Sequence, residues 1–192
     1  NFDELTLEQA RNSGSLKWNY YDADVIPSWV ADMDFPAPRP VCDLLTELAQ
    51  KGNLCYAPAI PAEPVCELFA ERMEKRYGWS PNSADMDIMT DIVQAIHIAV
   101  KVLCEDDEQV IVTTPSYHPI LSACKNMRRE MLFSPLLKTS HGWEVDFERL
   151  ENDITPKTRL LLLVNPHNPS GRAFRRAELE RYAEIALRHD LF

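Results

Sequence analysis

Seven residues, Asn165-Pro166-His167-Asn168-Pro169-Ser170-Gly171, have the types and spacing that could present a group to a ligand. Two prolines fix φ and remove two backbone donors, and Gly171 admits a conformation closed to other residues. An asparagine held between prolines can aim its amide at one target. The chemistry would be a directed hydrogen bond to a bound molecule. Turn chemistry by itself leaves a second reading equally open, a tight strand-to-helix turn with no ligand.

The other reactive side chains form no set. The five histidines give no metal group: His97 lies in an apolar helical stretch, His118, His141 and His167 sit singly in or beside loops, and His189 ends a helix. His167 is close enough to Asn168 to approach a ligand, but a solvated loop histidine is the expectation. The five cysteines (Cys42, Cys55, Cys66, Cys104, Cys124) contain no CxxC pair and mostly have apolar neighbours. They are expected to be reduced, buried thiols rather than disulfides, zinc ligands or nucleophiles. Neither a dinucleotide-binding glycine pattern nor a P-loop is present.

The elements that must position Asn168 follow from periodicity. The first forty residues have no sustained period and carry Trp18, Tyr20, Tyr21, Trp29, Phe35 and several prolines, which suits an ordered arm packed on a body. Val41, Leu44, Leu45 and Leu48 then recur at the spacing of one buried helix face, and a second helix is expected over 62–77, closed by Gly78. Beyond it, short apolar strands near 87–89, 110–113, 131–136 and 160–164 alternate with helical stretches at 92–103, 117–127, 147–152 and 177–189. A further strand begins at Leu191. This alternation predicts an α/β domain with a largely parallel sheet and helices on both faces. Ligands of such sheets bind beyond the carboxyl ends of the strands, which singles out the loops at Thr90–Asp91, Thr114–Ser116 and Asn165–Gly171.

Composition narrows the class of partner. With 45% hydrophobic and 26% charged residues the chain should fold as a globular protein, and a formal net charge of −10 opposes nucleic acid or an anionic membrane surface. The longest apolar run, Leu160 to Val164, is far below a membrane span, and Asp3, Glu4 and Glu8 stand where a signal peptide would be basic. A cytoplasmic protein with a small-molecule partner is expected.

Several motifs in order resemble one family. Asn165 to Gly171 after a strand is similar to the signature of fold-type I pyridoxal-phosphate (PLP) aminotransferases. Ser15-Leu16-Lys17-Trp18 followed by Trp29 to Phe35 (Trp-Val-Ala-Asp-Met-Asp-Phe) resembles the opening of its MalY/PatB cystathionine β-lyase subgroup. Tyr56-Ala57-Pro58, Thr114-Pro115-Ser116-Tyr117 and His141-Gly142-Trp143 follow at matching separations. The resemblance covers essentially all 192 residues.

It implies a fold-type I architecture, with 1–50 as an arm and part of a small domain, and 51–192 as the N-terminal portion of a large PLP-binding domain. It implies roles as well. Asn168 would donate to the cofactor's phenolic oxygen, Tyr117 would stack on its ring, and the amides of Ile92 and Val93 at a helix N-terminus would hold its phosphate. Tyr56 would reach the phosphate of a partner subunit in a homodimer, and the Ala31 amide would lie near the substrate carboxylate. Asp91 departs from the pattern, standing where many relatives have glycine. Its carboxylate could cap the helix and repel the phosphate, so that either it turns away or cofactor affinity is reduced.

The family's Schiff-base lysine and the aspartate that protonates the pyridine nitrogen are expected beyond Phe192. None of Lys17, Lys51, Lys75, Lys101, Lys125, Lys138 and Lys157 has the required context, and Asp190 precedes its strand. These 192 residues expressed alone are therefore expected to be poorly folded, to bind PLP weakly and to turn nothing over. The activity implied is a carbon–sulfur β-lyase acting on cystathionine or a cysteine S-conjugate. An aminotransferase on the same scaffold and a non-catalytic regulatory binding protein are the alternatives.

Overall fold

Strand β1 (Gln109–Thr114) carries Val-Ile-Val at its centre, so both of its faces are apolar and both must be covered. In the computed structural model, which describes residues 4–52 and 63–192, it is the middle strand of a parallel sheet. Its neighbours are β2 (Glu130–Pro135) and β5 (Thr158–Leu162), in the order β2-β1-β5. The chain divides into two compact units, Asn1–Pro61 and Ala62–Phe192, and the sheet belongs to the second.

The period of two along β1 assigns its residues to two cores. Val110 and Val112 face one side. There they join Val100 of α5 (Ile92–Leu103), Cys104 at its end, Ile120 and Cys124 of α6 (His118–Asn126), and Leu160 of β5. Ile111 faces the other side with Leu150 of α7 (Phe147–Asn152) and Tyr182 and Ile185 of α8 (Arg176–Arg188). Each fully buried aliphatic side chain contributes about 1.5–3 kcal/mol, which is why the sheet carries helices on both faces. His97 ties α5 to α6: its Nδ1–H donates to the Val93 carbonyl at 2.8 Å, leaving Nε2 to accept from the Asn126 amide at 3.3 Å.

The other elements of this unit are α4 (Glu63–Tyr77) and a hairpin of β3 (Leu137–Thr139) and β4 (Gly142–Glu144). The hairpin is absent from the periodicity because strands of three residues are too short to show one. At the far end, the Phe192 amide donates to the Arg159 carbonyl at 2.9 Å and its carbonyl accepts from Leu161 at 2.8 Å. Phe192 thus pairs with the free side of β5, in keeping with the strand expected from Leu191. The strand expected over 87–89 is not formed: those residues have no ladder partner among the described residues, so their apolar pattern has no sheet to enter.

The first unit holds α1 (Leu7–Arg11), α2 (Leu16–Asn19) and α3 (Arg39–Gln50). Thr6 and Gln9 cap α1 reciprocally, the Thr6 hydroxyl accepting the Gln9 amide at 3.2 Å and Gln9 Oε1 accepting the Thr6 amide at 2.9 Å. The face of α3 expected to be buried is not: Val41, Leu44, Leu45 and Leu48 are all exposed, because α3 packs extensively against neither α1 nor α2. Cys42 on the same helix is likewise exposed, against the expectation of a buried thiol. Among the described residues no helix is long and apolar enough to cross a membrane.

Candidate functional site

The loop that follows β5 folds back on itself. The His167 amide donates to the Arg172 carbonyl and the Gly171 amide to the His167 carbonyl, each at 2.7 Å, while Gly171 takes φ +71°, a region L side chains rarely enter. Ahead of this closure, Asn165 Oδ1 accepts the Phe174 amide at 2.9 Å. Asn168 lies within the closed loop, exposed, and its side chain makes no hydrogen bond with a described residue.

His167 is not the solvated histidine expected from the sequence. It is 3% exposed, its ring centroid lies 5.8 Å from that of Phe174, and its Nδ1 is 2.8 Å from Ser170 Oγ. The turn brings Arg172 to Phe174 back over the ring, and that closure cannot be seen in a linear pattern. Burial first, and the Arg172 charge second, hold the imidazole pKa below its ordinary value, so the ring is neutral at pH 7.

Tyr117 follows β1 and is the N-terminal flanking residue of α6, with Pro119 inside the first turn. Its ring is exposed. β1 and β5 are parallel, with Val112 opposite Leu162, so Tyr117 and Asn168 leave the same edge of the sheet. Helix α5 reaches that edge too. It enters β1 through the short turn 104–108 and so runs antiparallel to it, and its roughly 18 Å length nearly matches the roughly 20 Å of the strand. The start of α5 therefore stands level with the carboxyl end of β1.

Asp91 caps α5, its Oδ1 accepting the Gln94 amide at 2.8 Å. The Ala95 amide bonds the Asp91 carbonyl at 3.2 Å, which leaves the amides of Ile92 and Val93 without a partner among the described residues. The capping expected of Asp91 is thus observed. The carboxylate nonetheless remains in the first turn, where an anion would bind.

Ala31 belongs to the other unit, exposed, with an amide that bonds no described residue. The segment that carries it is tied down. Ser15 Oγ donates to Asp32 at 2.6 Å, Lys17 Nζ to Asp34 at 2.9 Å and to the Asp32 carbonyl at 3.1 Å, and the Trp18 indole to Asp34 at 2.6 Å. The hydrogen bonds from Lys17 and then Trp18 hold the Asp34 carboxyl below its ordinary pKa. The two motifs at the start of the chain are thus the two halves of one clamp. Opposite charges 17 residues apart gave no sign of it, since such separations are spanned only by the fold. Tyr56 lies outside the described residues.

Among the described residues there is no cluster of His, Cys, Asp or Glu fit for a metal ion. Cys66, Cys104 and Cys124 are buried, and burial pushes the Cys124 thiol up to about 11, which argues against a nucleophile. Asp190 pairs with Arg159 at the amino end of β5, the edge opposite Asn168.

A parallel sheet covered on both faces, with helix amides, an aromatic ring and an asparagine amide at its carboxyl edge, defines an α/β protein whose ligand-binding position is that edge. The chain belongs to the aminotransferase class I and II family, whose model matches residues 16–192. Its fold is that of the fold-type I aminotransferases. It is 33% identical to the cystathionine beta-lyase PatB of Bacillus subtilis over 98% of this chain and 49% of that protein. The crystal structure of OvoB is 36% identical with a TM-score of 0.85, over 95% of this chain and 48% of that one. A PLP-bound C-S lyase from Staphylococcus hominis is 30% identical with a TM-score of 0.87, over 100% of this chain and 49% of that one. The chain spans about half the length of the curated relatives it matches.

Proposed function

We propose that the protein containing this chain is a PLP-dependent carbon–sulfur β-lyase that cleaves cystathionine or a related cysteine S-conjugate. The observation that carries the reading of a PLP site is the convergence, at one edge of one sheet, of the exposed Tyr117 ring with the amides of Ile92, Val93 and Asn168, which bond no described residue. That donor set fits the cofactor's phosphate, ring face and phenolic oxygen in turn, with the Asp91 charge as its one opposing element. When bound, PLP supplies a conjugated electron sink for the charge left on the substrate's α-carbon.

The chain's own groups bind and orient. Ile92 and Val93 hold the phosphate, Tyr117 fixes the plane of the ring, and Asn168 donates to the phenolic oxygen. The Ala31 amide, on a segment clamped through Lys17, Trp18 and Asp34, is assigned to the substrate carboxylate by the resemblance alone. The three loops carry no lysine, so the amine that moves the α-proton comes from elsewhere in the protein. Tyr56, outside the described residues, is assigned by the resemblance to the phosphate of a second subunit in a homodimer. The reading puts the enzyme in the cytoplasm, with an amino-acid substrate and neither nucleic acid nor membrane as partner.

The test is product analysis on the full-length protein with PLP and cystathionine. Homocysteine, pyruvate and ammonia in equal amounts support the lyase. Glutamate formed from 2-oxoglutarate without release of thiol makes it a transaminase. A protein whose binding to a regulator survives loss of the Schiff-base lysine is the binding protein of the third reading.

A further inference from the structure

We propose that His167, acting through Ser170, is a positioning residue that sets the direction of the Asn168 amide; this rests on Asn168 being the donor to the cofactor's phenolic oxygen. His167 and Asn168 are neighbours in sequence with opposite environments, the first 3% exposed and the second open at the sheet edge. Two backbone hydrogen bonds of 2.7 Å, from His167 to Arg172 and from Gly171 to His167, close the base of the loop. The side chain adds a tie across it, with Nδ1 2.8 Å from Ser170 Oγ, and that oxygen also accepts the Arg172 amide at 3.4 Å.

Asn168 is therefore carried between anchors on both sides. His167 fixes the residue before it by packing on Phe174, and Ser170 fixes the chain two residues after it. The tie holds with either tautomer of the ring, Nδ1 accepting from the Ser170 hydroxyl or donating to its oxygen. A hydrogen bond weakens steeply once its angle falls toward 120° or its length passes about 3.2 Å. A small rotation of the loop is then enough to lose the Asn168 contact while the fold survives.

A packing residue and a positioning residue differ in what the Ser170 hydroxyl does for the cofactor. The measurement uses the full-length protein with PLP bound, following its visible absorbance across pH and its dissociation constant. Asn168→Ala is the reference, since loss of a donor to the phenolic oxygen raises the pH midpoint of the absorbance. Ser170→Ala and His167→Ala are expected to move the midpoint the same way, and to weaken PLP binding by roughly three- to tenfold, the scale of one hydrogen bond. Asn168→Ala combined with Ser170→Ala should add nothing to Asn168→Ala, because both remove one interaction.

If Asn168→Ala moves the midpoint and Ser170→Ala leaves both quantities at their wild-type values, the positioning role is wrong and the reading of Asn168 stands. If Asn168→Ala itself moves neither, that reading falls and takes the proposal with it. Ser170→Ala removes a single hydroxyl, so it decides the matter even where His167→Ala does not fold.

Discussion

The Asp91 carboxylate accepts the Gln94 amide at 2.8 Å, and the Gln94 side chain accepts in return from the Thr90 amide at 3.1 Å and the Thr90 hydroxyl at 2.8 Å. Helix α5 is thus capped from both directions by its own chain, at the turn whose remaining amides are assigned to a phosphate. The carboxylate stabilises the helix and, on the proposed assignment of those amides, repels the anion; the two effects can be separated by substitution.

Asp91→Asn keeps an N-cap acceptor and removes the charge. It is expected to tighten PLP binding by roughly two- to tenfold at low salt, with a smaller gain at high salt, because screening already weakens the repulsion. Asp91→Ala gives the same electrostatic gain but loses the cap, about 1 kcal/mol of stability. PLP titrations of the full-length protein at two ionic strengths, beside denaturant melts, check both. Equal affinity for wild type and Asp91→Asn at low salt would mean the carboxylate turns away.

Tyr117 flanks α6 with an exposed ring that the core does not use. Tyr117→Ala should therefore weaken PLP roughly tenfold, the scale of one aromatic stack, and leave the melting temperature nearly unchanged. Tyr117→Phe should bind almost as wild type. A large loss of stability in Tyr117→Ala would make the ring a packing residue.

The clamp in the first unit titrates. Asp34 has its pKa lowered by the Lys17 and Trp18 hydrogen bonds, so its unfolded state binds protons more readily than its folded state. The stabilisation is whole above the ordinary value of 3.8 and is lost as pH falls below it through the depressed folded value. Trp18 fluorescence should change over that acid window in wild type and be flat in Asp34→Asn, which has no charge to lose. The same acid transition in both proteins would assign it to another group.

Ile185 is fully buried against Ile111, Leu150 and Tyr182 on the α7–α8 face of the sheet. Ile185→Ala should cost about 2–5 kcal/mol by loss of transfer energy and creation of a cavity. Leu187, two residues on and 84% exposed, should tolerate alanine with a change below about 0.5 kcal/mol. Chemical denaturation of both variants measures the contrast.

What could be read without coordinates is what repeats along the chain or depends on a short stretch. The central strand and helices α5 to α8 were legible because their apolar periods are long enough to count, and the helix expected over 92–103 is α5 itself. The roles expected of Asn168, Tyr117, Ile92 and Val93 came from the order of motifs, which linear text preserves. The hairpin at 137–144 escaped because three residues make no period. The strand expected at 87–89 failed because an apolar pattern becomes a strand only when a neighbour accepts its hydrogen bonds.

The sequence by itself determined the layered α/β architecture, the family and the residues offered at the carboxyl edge of the sheet, since these depend on local propensity and on motifs read in order. Only the tertiary structure decided that His167 is buried against Phe174, that Asp91 caps its own helix, and that Ser15, Lys17 and Trp18 hold Asp32 and Asp34. Each of those depends on where a side chain points once the backbone has turned. Hydrogen bonds and burial act over a few ångströms of space, whatever the distance along the chain.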